Sequence, residues 1–150
     1  MSNDYPSWGG VHMGPPYLGC AVVCESVIED APGLSDVRGI HSSELLVVRR
    51  GQTRLAIGRE EGELFLWVRL YADSAPGEYE FEVRFLSPSG AGLARQVASS
   101  TLTSDGLSAV IPIHLLRTEE SGVHHFEIGI DGKLVTKVPF EIQIEEVVRA

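Results

Sequence analysis

The chain has 150 residues, 43% of them hydrophobic and 22% charged. That is the composition of an ordinary globular domain, long enough to bury roughly 70% of its unfolded surface without disulfides or metal. Twenty-one acidic against twelve basic side chains give a formal net charge of −9. Nucleic acid and anionic membrane surfaces are therefore excluded as expected partners, because neutralising phosphates takes clustered Lys and Arg.

Residues 1–17 are rich in Gly and Pro, have no basic or apolar leader pattern, and carry Tyr5, Trp8 and Tyr17 as their large apolar groups. They read as a flexible arm able to dock through its aromatics, ahead of a β-domain over 18–150. The missing leader, and apolar runs far shorter than a membrane helix, lead us to expect a cytoplasmic protein. From Leu18 onward the apolar residues alternate with period two, as half-buried strands require. Cys20 and Cys24 fall in a first strand over 18–28, where about 13 Å of extended backbone between them forbids a disulfide. Buried thiols are the expectation, against a zinc site completed by His12 or His41, for which the full ligand set is missing. The segment 26–34 comes nearest to a helical period and is broken by Pro32-Gly33.

Strands are predicted next over 37–41, 45–49 and 54–57, then over 64–71, where Leu64, Leu66, Val68 and Leu70 form one row and Phe65, Trp67, Arg69 and Tyr71 the other. Both rows bear large apolar groups, so something other than water should cover the second. In 78–85, Tyr79, Phe81, Val83 and Phe85 should face inward while Glu78, Glu80, Glu82 and Arg84 face water. Pro76-Gly77 fits a type II turn joining 64–71 to 79–85, and Ser87-Pro88-Ser89-Gly90 fits a type I turn leading into 93–101. Strands follow over 109–115 and 125–130. Asp131-Gly132 then supplies a type I′ hairpin into 134–144. Pro139 lacks an N–H, so the last strand should lie at a sheet edge or carry a bulge there. The sum is all-β: about eight short antiparallel strands with turn signals every 8 to 12 residues, the spacing of a sandwich.

The opening strand 18–25, the segment Leu34-Ser35-Asp36-Val37-Arg38-Gly39-Ile40, the Pro-Gly-Glu-Tyr stretch at 76–79 and the closing 122–128 with Asp131-Gly132-Lys133 resemble a family of small bacterial single-domain proteins. That family is a domain of unknown function with an immunoglobulin-like β-sandwich fold. The resemblance covers 18–144, and its motifs are turns and core rows. It implies the fold and a bacterial setting, and it transfers no catalytic residue. An accessory role in a neighbouring bacterial system would rest on the resemblance alone.

Hydrolytic, phosphate-binding, dinucleotide and zinc-protease motifs are absent, which argues against an enzyme. His124 and His125 should point to opposite faces, one near the sheet edge and one to solvent. His114, on the face of Val110, reads as a buried group bonded to backbone. Acidic groups at Glu29-Asp30, Glu60-Glu61-Gly62-Glu63 and Glu119-Glu120 lie beside strand ends, where solvated loops are the plain reading. A calcium-dependent ligand binder or a loop-carboxylate enzyme is the alternative, needing six or more converging oxygens for calcium. No catalytic, cofactor or metal residue is predicted. Phe65, Trp67, Arg69 and Tyr71 combine the residue types that dominate interface hot spots. They are either an inward row beneath another sheet or the arm, or an outer face that binds a protein partner or a second copy. The expected function is a non-catalytic binding or assembly module, homodimerisation being its simplest form.

Overall fold

The computed structural model describes residues 5–31, 34–49, 55–57, 64–113 and 116–147. Among them are twelve strands and no helix: β1 (Tyr17–Cys24), β2 (Ser26–Ala31), β3 (Leu34–Arg38), β4 (Ser43–Arg49), β5 (Leu55–Ile57), β6 (Leu64–Tyr71), β7 (Gly77–Leu86), β8 (Gly92–Leu102), β9 (Leu107–Ile113), β10 (Leu116–Thr118), β11 (Gly122–Ile130) and β12 (Lys133–Val147). No helix of the described residues is long and apolar enough to cross a membrane. The count exceeds the eight expected, partly because the first predicted strand changes partner midway. β1 pairs with β6, and beyond Glu25, whose backbone N–H donates to the carbonyls of Arg38 and Gly39, β2 pairs with β3 instead.

Two larger sheets carry the fold. One is three-stranded in the order β1-β6-β9, and the other is five-stranded in the order β4-β12-β11-β7-β8; β2-β3 and β5-β10 form two small ribbons. Pairing between the named strands is antiparallel except between β4 and β12, which run parallel from Ser43↔Glu141 to Arg49↔Val147, and the isolated bridge Val11↔Leu134 is parallel as well. The period-two rows meet in one core. Val23, Leu64, Leu66, Val68, Leu70 and Ile113 of the smaller sheet join Phe85, Leu102, Phe126, Ile128, Ile130, Phe140 and Ile142 of the larger. Phe126 sits at its centre, with ring centroids 4.5 Å from Phe85 and 6.4 Å from Phe140.

The hairpin expected between 64–71 and 79–85 does not form, for β6 and β7 belong to different sheets. The tight turn falls one step earlier, where the Ala75 N–H donates to the Ala72 carbonyl at 3.0 Å and Asp73 takes φ of 52°. The chain then crosses the core's edge, and the Tyr79 hydroxyl ties the corner by donating to the Ala75 carbonyl at 2.6 Å. The other two turns form as read. Gly90 N–H bonds the Ser87 carbonyl at 2.9 Å, and Asp131 and Gly132 take φ of 48° and 78° between Ile130 and Lys133. Pro139 stands in a strand flanked on both sides, yet breaks no ladder. The partner edge of β12 is taken up by β4 only from Glu141 onward, so the missing N–H falls in a gap.

Because Phe126 is fully embedded, Phe126→Ala should lower the unfolding free energy by about 3–5 kcal/mol, read as a fall in the urea midpoint with an unchanged slope.

Candidate functional site

Three regions of the described structure have the makings of a site, and the first is the row singled out in the sequence. Phe65, Trp67, Arg69 and Tyr71 project from the outer face of β1-β6-β9, while Leu64, Leu66, Val68 and Leu70 fill the core. Among the described residues the Tyr71 end of the row is open, Tyr71 being half exposed, while at the other end Cys24, opposite Phe65, is fully buried. Register sets Val22 and Val110 on either side of Trp67, and Cys20 and Ser108 on either side of Arg69. Trp67 Nε1 donates to Ser108 Oγ at 2.8 Å, Arg69 donates to the Asp105 carbonyl at 2.8 Å, and its guanidinium lies 5.2 Å from the Tyr71 ring centroid. Tyr71 packs over Gly19, where any Cβ would enter its ring. Neighbouring strands thus hold the polar tips of Trp67 and Arg69 in place. Tyr17, Tyr71 and Val110 are 49%, 50% and 44% exposed.

The second region was missed. Glu82 and Arg84, expected in water, are each 5% exposed, and Glu127 beside them is 6% exposed. Strand register explains the grouping: Lys137, Glu127, Arg84 and Arg95 stand opposite one another across β12, β11, β7 and β8, with Glu82 one pleat away facing Gly129. Residues 9–12 of the amino-terminal segment run along the free half of β12, Gly9 and His12 donating to the carbonyls of Gly132 and Leu134 at 2.7 and 2.8 Å and Leu134 donating to Gly10 at 2.9 Å. That pairing lays Trp8 over the charges. Its Nε1 donates to Glu127 Oε1 at 3.1 Å, and the Arg84 guanidinium lies 3.8 Å from its ring centroid. The second acid, Glu82, is bound by Arg84 and by Arg95, the latter at 2.9 Å, while Lys137 reaches Glu127 at 3.4 Å. Burial alone would raise the Glu82 pKa, but the hydrogen bonds and charges of Arg95 and Arg84 outweigh it and hold the carboxyl below its usual range. Burial likewise raises the Tyr5 phenol, against the nearby charges of Arg95 and Arg84. Each carboxylate is thus paired with cations, which makes the cluster an anchor for the arm.

The third region is a cleft of about 270 Å³ between the two sheets, at the side where β8 and β9 form their edges. Its floor is Val68, Leu70, Phe81, Val83 and Ile128. It exists because β8 sets Ala98 and Ser100 opposite Phe81 and Tyr79, so small side chains stand where large ones would close the core.

The remaining predicted groups do not assemble. Cys20 and Cys24 are free thiols, the second fully buried, and burial followed by the proximity of Cys20 raises the Cys24 pKa. Among the described residues no three His, Cys, Asp or Glu groups come together as metal ligands; His114, Glu60, Glu61 and Glu63 lie outside them. His124 does not sit near an edge or in solvent. It is wholly buried, stacked on Phe85 with centroids 5.3 Å apart. Its Nδ1 donates to the Gly122 carbonyl at 3.0 Å, so Nε2 accepts from Thr118 Oγ1 at 2.6 Å. Burial lowers its pKa, the backbone bond and Glu120 opposing weakly.

No family model and no curated protein matches the chain. Among solved structures it is similar to an alkylpurine DNA glycosylase, AlkC of Pseudomonas fluorescens bound to DNA containing an abasic site analog. That match has 15% identity and a TM-score of 0.37 over 82% of this chain and 30% of that one. It is also similar to a β-glucosidase from Listeria innocua, in complex with glucose (11% identity, TM-score 0.40) and with gluconolactone (11%, 0.38), each over 90% of this chain and 17% of that one. The chain therefore spans less than a third of the length of these structures.

Two outcomes follow. Gly129→Ala would drive a Cβ into the Trp8 indole and within 2.9 Å of the Lys133 carbonyl. In a Trp67→Phe background the remaining Trp8 emission should shift to the red, with a loss of about 1–3 kcal/mol in stability. The folded state also resists protonation at His124 while the unfolded chain takes up a proton near 6.5, so stability should fall as pH drops from 7 through the lowered folded value. His124→Gln should flatten that part of the profile. A second decline, from Glu82, should begin below about 4.5.

Proposed function

We propose that the protein is an immunoglobulin-like β-sandwich acting as a non-catalytic binding module, which associates with a protein partner, in the simplest case a second copy of itself. The surface is the outer face of β1-β6-β9. The sandwich reading is supported by the two sheets sharing one core and by the corner at 72–79, where a tyrosine bonds backbone four residues upstream after the chain changes sheets, a device of that fold. A bacterial setting belongs to the same proposal and rests on the family resemblance, and a cytoplasmic one rests on apolar runs too short for a membrane helix.

The observation that carries the function is the exposure of Tyr17, Tyr71 and Val110 around half-buried Trp67 and Phe65, with Arg69 among them. Aromatic and Arg side chains locked by their own neighbours lose little entropy on docking, and they bury large areas while offering polar tips. A twofold arrangement uses the same patch on both copies, so each favourable contact occurs twice. The absence of an unpaired carboxylate in the arm-covered cluster, and its occupation by cations, supports a binding role over acid–base chemistry.

Sedimentation velocity tests this. The unaltered chain should sediment increasingly as a dimer with rising concentration, and Tyr71→Asp combined with Val110→Asp should remain a monomer with its circular dichroism unchanged. A monomer at all concentrations before the change, or a dimer surviving it, contradicts the self-association reading.

A further inference from the structure

We propose that the cleft between β8 and β9 is a binding site for a single extended alkyl chain with an uncharged head group. Protein interiors are close-packed, with few voids larger than a water molecule, whereas this cleft holds about 270 Å³. An apolar cavity of about 150 Å³ already stays dry and takes benzene. The walls say what shape fits. Leu107, Ala109 and Ile111 line one side at alternate positions of β9, and Gln96, Ala98 and Ser100 line the other along β8. Five residues of extended strand make either wall about 13 Å long. Apolar walls of that length fit a ligand that lies extended along the strands.

Polarity fixes the orientation. The floor is aliphatic and aromatic, and the polar groups on the β8 wall are the Gln96 amide and the Ser99 and Ser100 hydroxyls. Gln96 and Ala98 are exposed, so the β8 side is the open one. A hydroxyl or amide head can hydrogen-bond there while the tail lies inside. Among the described residues no charged side chain lines the cleft, and a net charge of −9 disfavours an anionic head. The site lies in the core's margin and is separate from the outer face of β1-β6-β9.

Calorimetric titration with the straight-chain primary alcohols from butanol to dodecanol tests the inference. Each added methylene should tighten binding about fourfold, until the length of the cleft is filled and the gain stops. Ala98→Leu, which places a side chain in the space, should abolish binding while the protein stays folded with an equal or higher melting temperature; Val123→Ala, at an exposed position, should leave binding unchanged. Phosphatidylcholine vesicles separate a free chain from one held in a bilayer, and the protein should not sediment with them. Absence of alcohol binding, affinity that does not depend on chain length, binding that survives Ala98→Leu, or binding to vesicles alone would each overturn the proposal.

Discussion

The fold depends on one constraint: alternate residues of strands lying in different sheets must meet in a single apolar seam. The row Leu64, Leu66, Val68 and Leu70 shares that seam with Phe85, Phe126, Ile128 and Phe140, and a slip of one residue in any of these strands would exchange core for surface. The corner at 72–79 makes the meeting possible by carrying the chain from β6 in one sheet to β7 in the other. Once those rows are set, the opposite rows are fixed too, and it is the opposite rows that decide what the molecule can touch.

The two outer faces have contrasting fates. On the larger sheet, register lines up Lys137, Glu127, Arg84 and Arg95, and residues 9–12 add to the free half of β12 so that Trp8 closes over Glu127 and Arg84. Charges removed from water in this way are stable only when paired, and breaking a pair leaves a costly bare charge; the arm therefore stays where its indole satisfies Glu127 and covers Arg84. On the smaller sheet Tyr17, Tyr71 and Val110 stay about half exposed among the described residues. Backbone pairing has sealed one face with the chain's own aromatic anchor and left the other presenting aromatics outward.

Much of this was legible in residue order alone. Alternation in 78–85 and 137–145, the Asp131-Gly132 and Ser87–Gly90 turns, and the two-faced character of 64–71 all follow from local chemistry, which is why those elements match. The failures share a cause. Pro76-Gly77 looked like a hairpin because turn chemistry says nothing about whether the next strand returns to its predecessor or crosses to a facing sheet. Glu82 and Arg84 read as solvated because charge on one face of a strand normally is, and only long-range register reveals that Trp8 reaches Arg84 and that Arg84 and Arg95 reach Glu82. His124 was misplaced for the same reason: its burial depends on Thr118 and Gly122 supplying partners for both ring nitrogens. The cleft has a visible sign in Ala98 and Ser100, small residues that acquire meaning only beside Phe81 and Tyr79.

The exposed face of β1-β6-β9 can be interrogated directly by carbene footprinting of the whole chain across a dilution series. Labelling at Tyr17, Tyr71 and Val110 should fall as concentration rises, while Val97 and Val123, exposed elsewhere, label equally throughout. Uniform labelling of all five residues at every concentration would contradict association through this face.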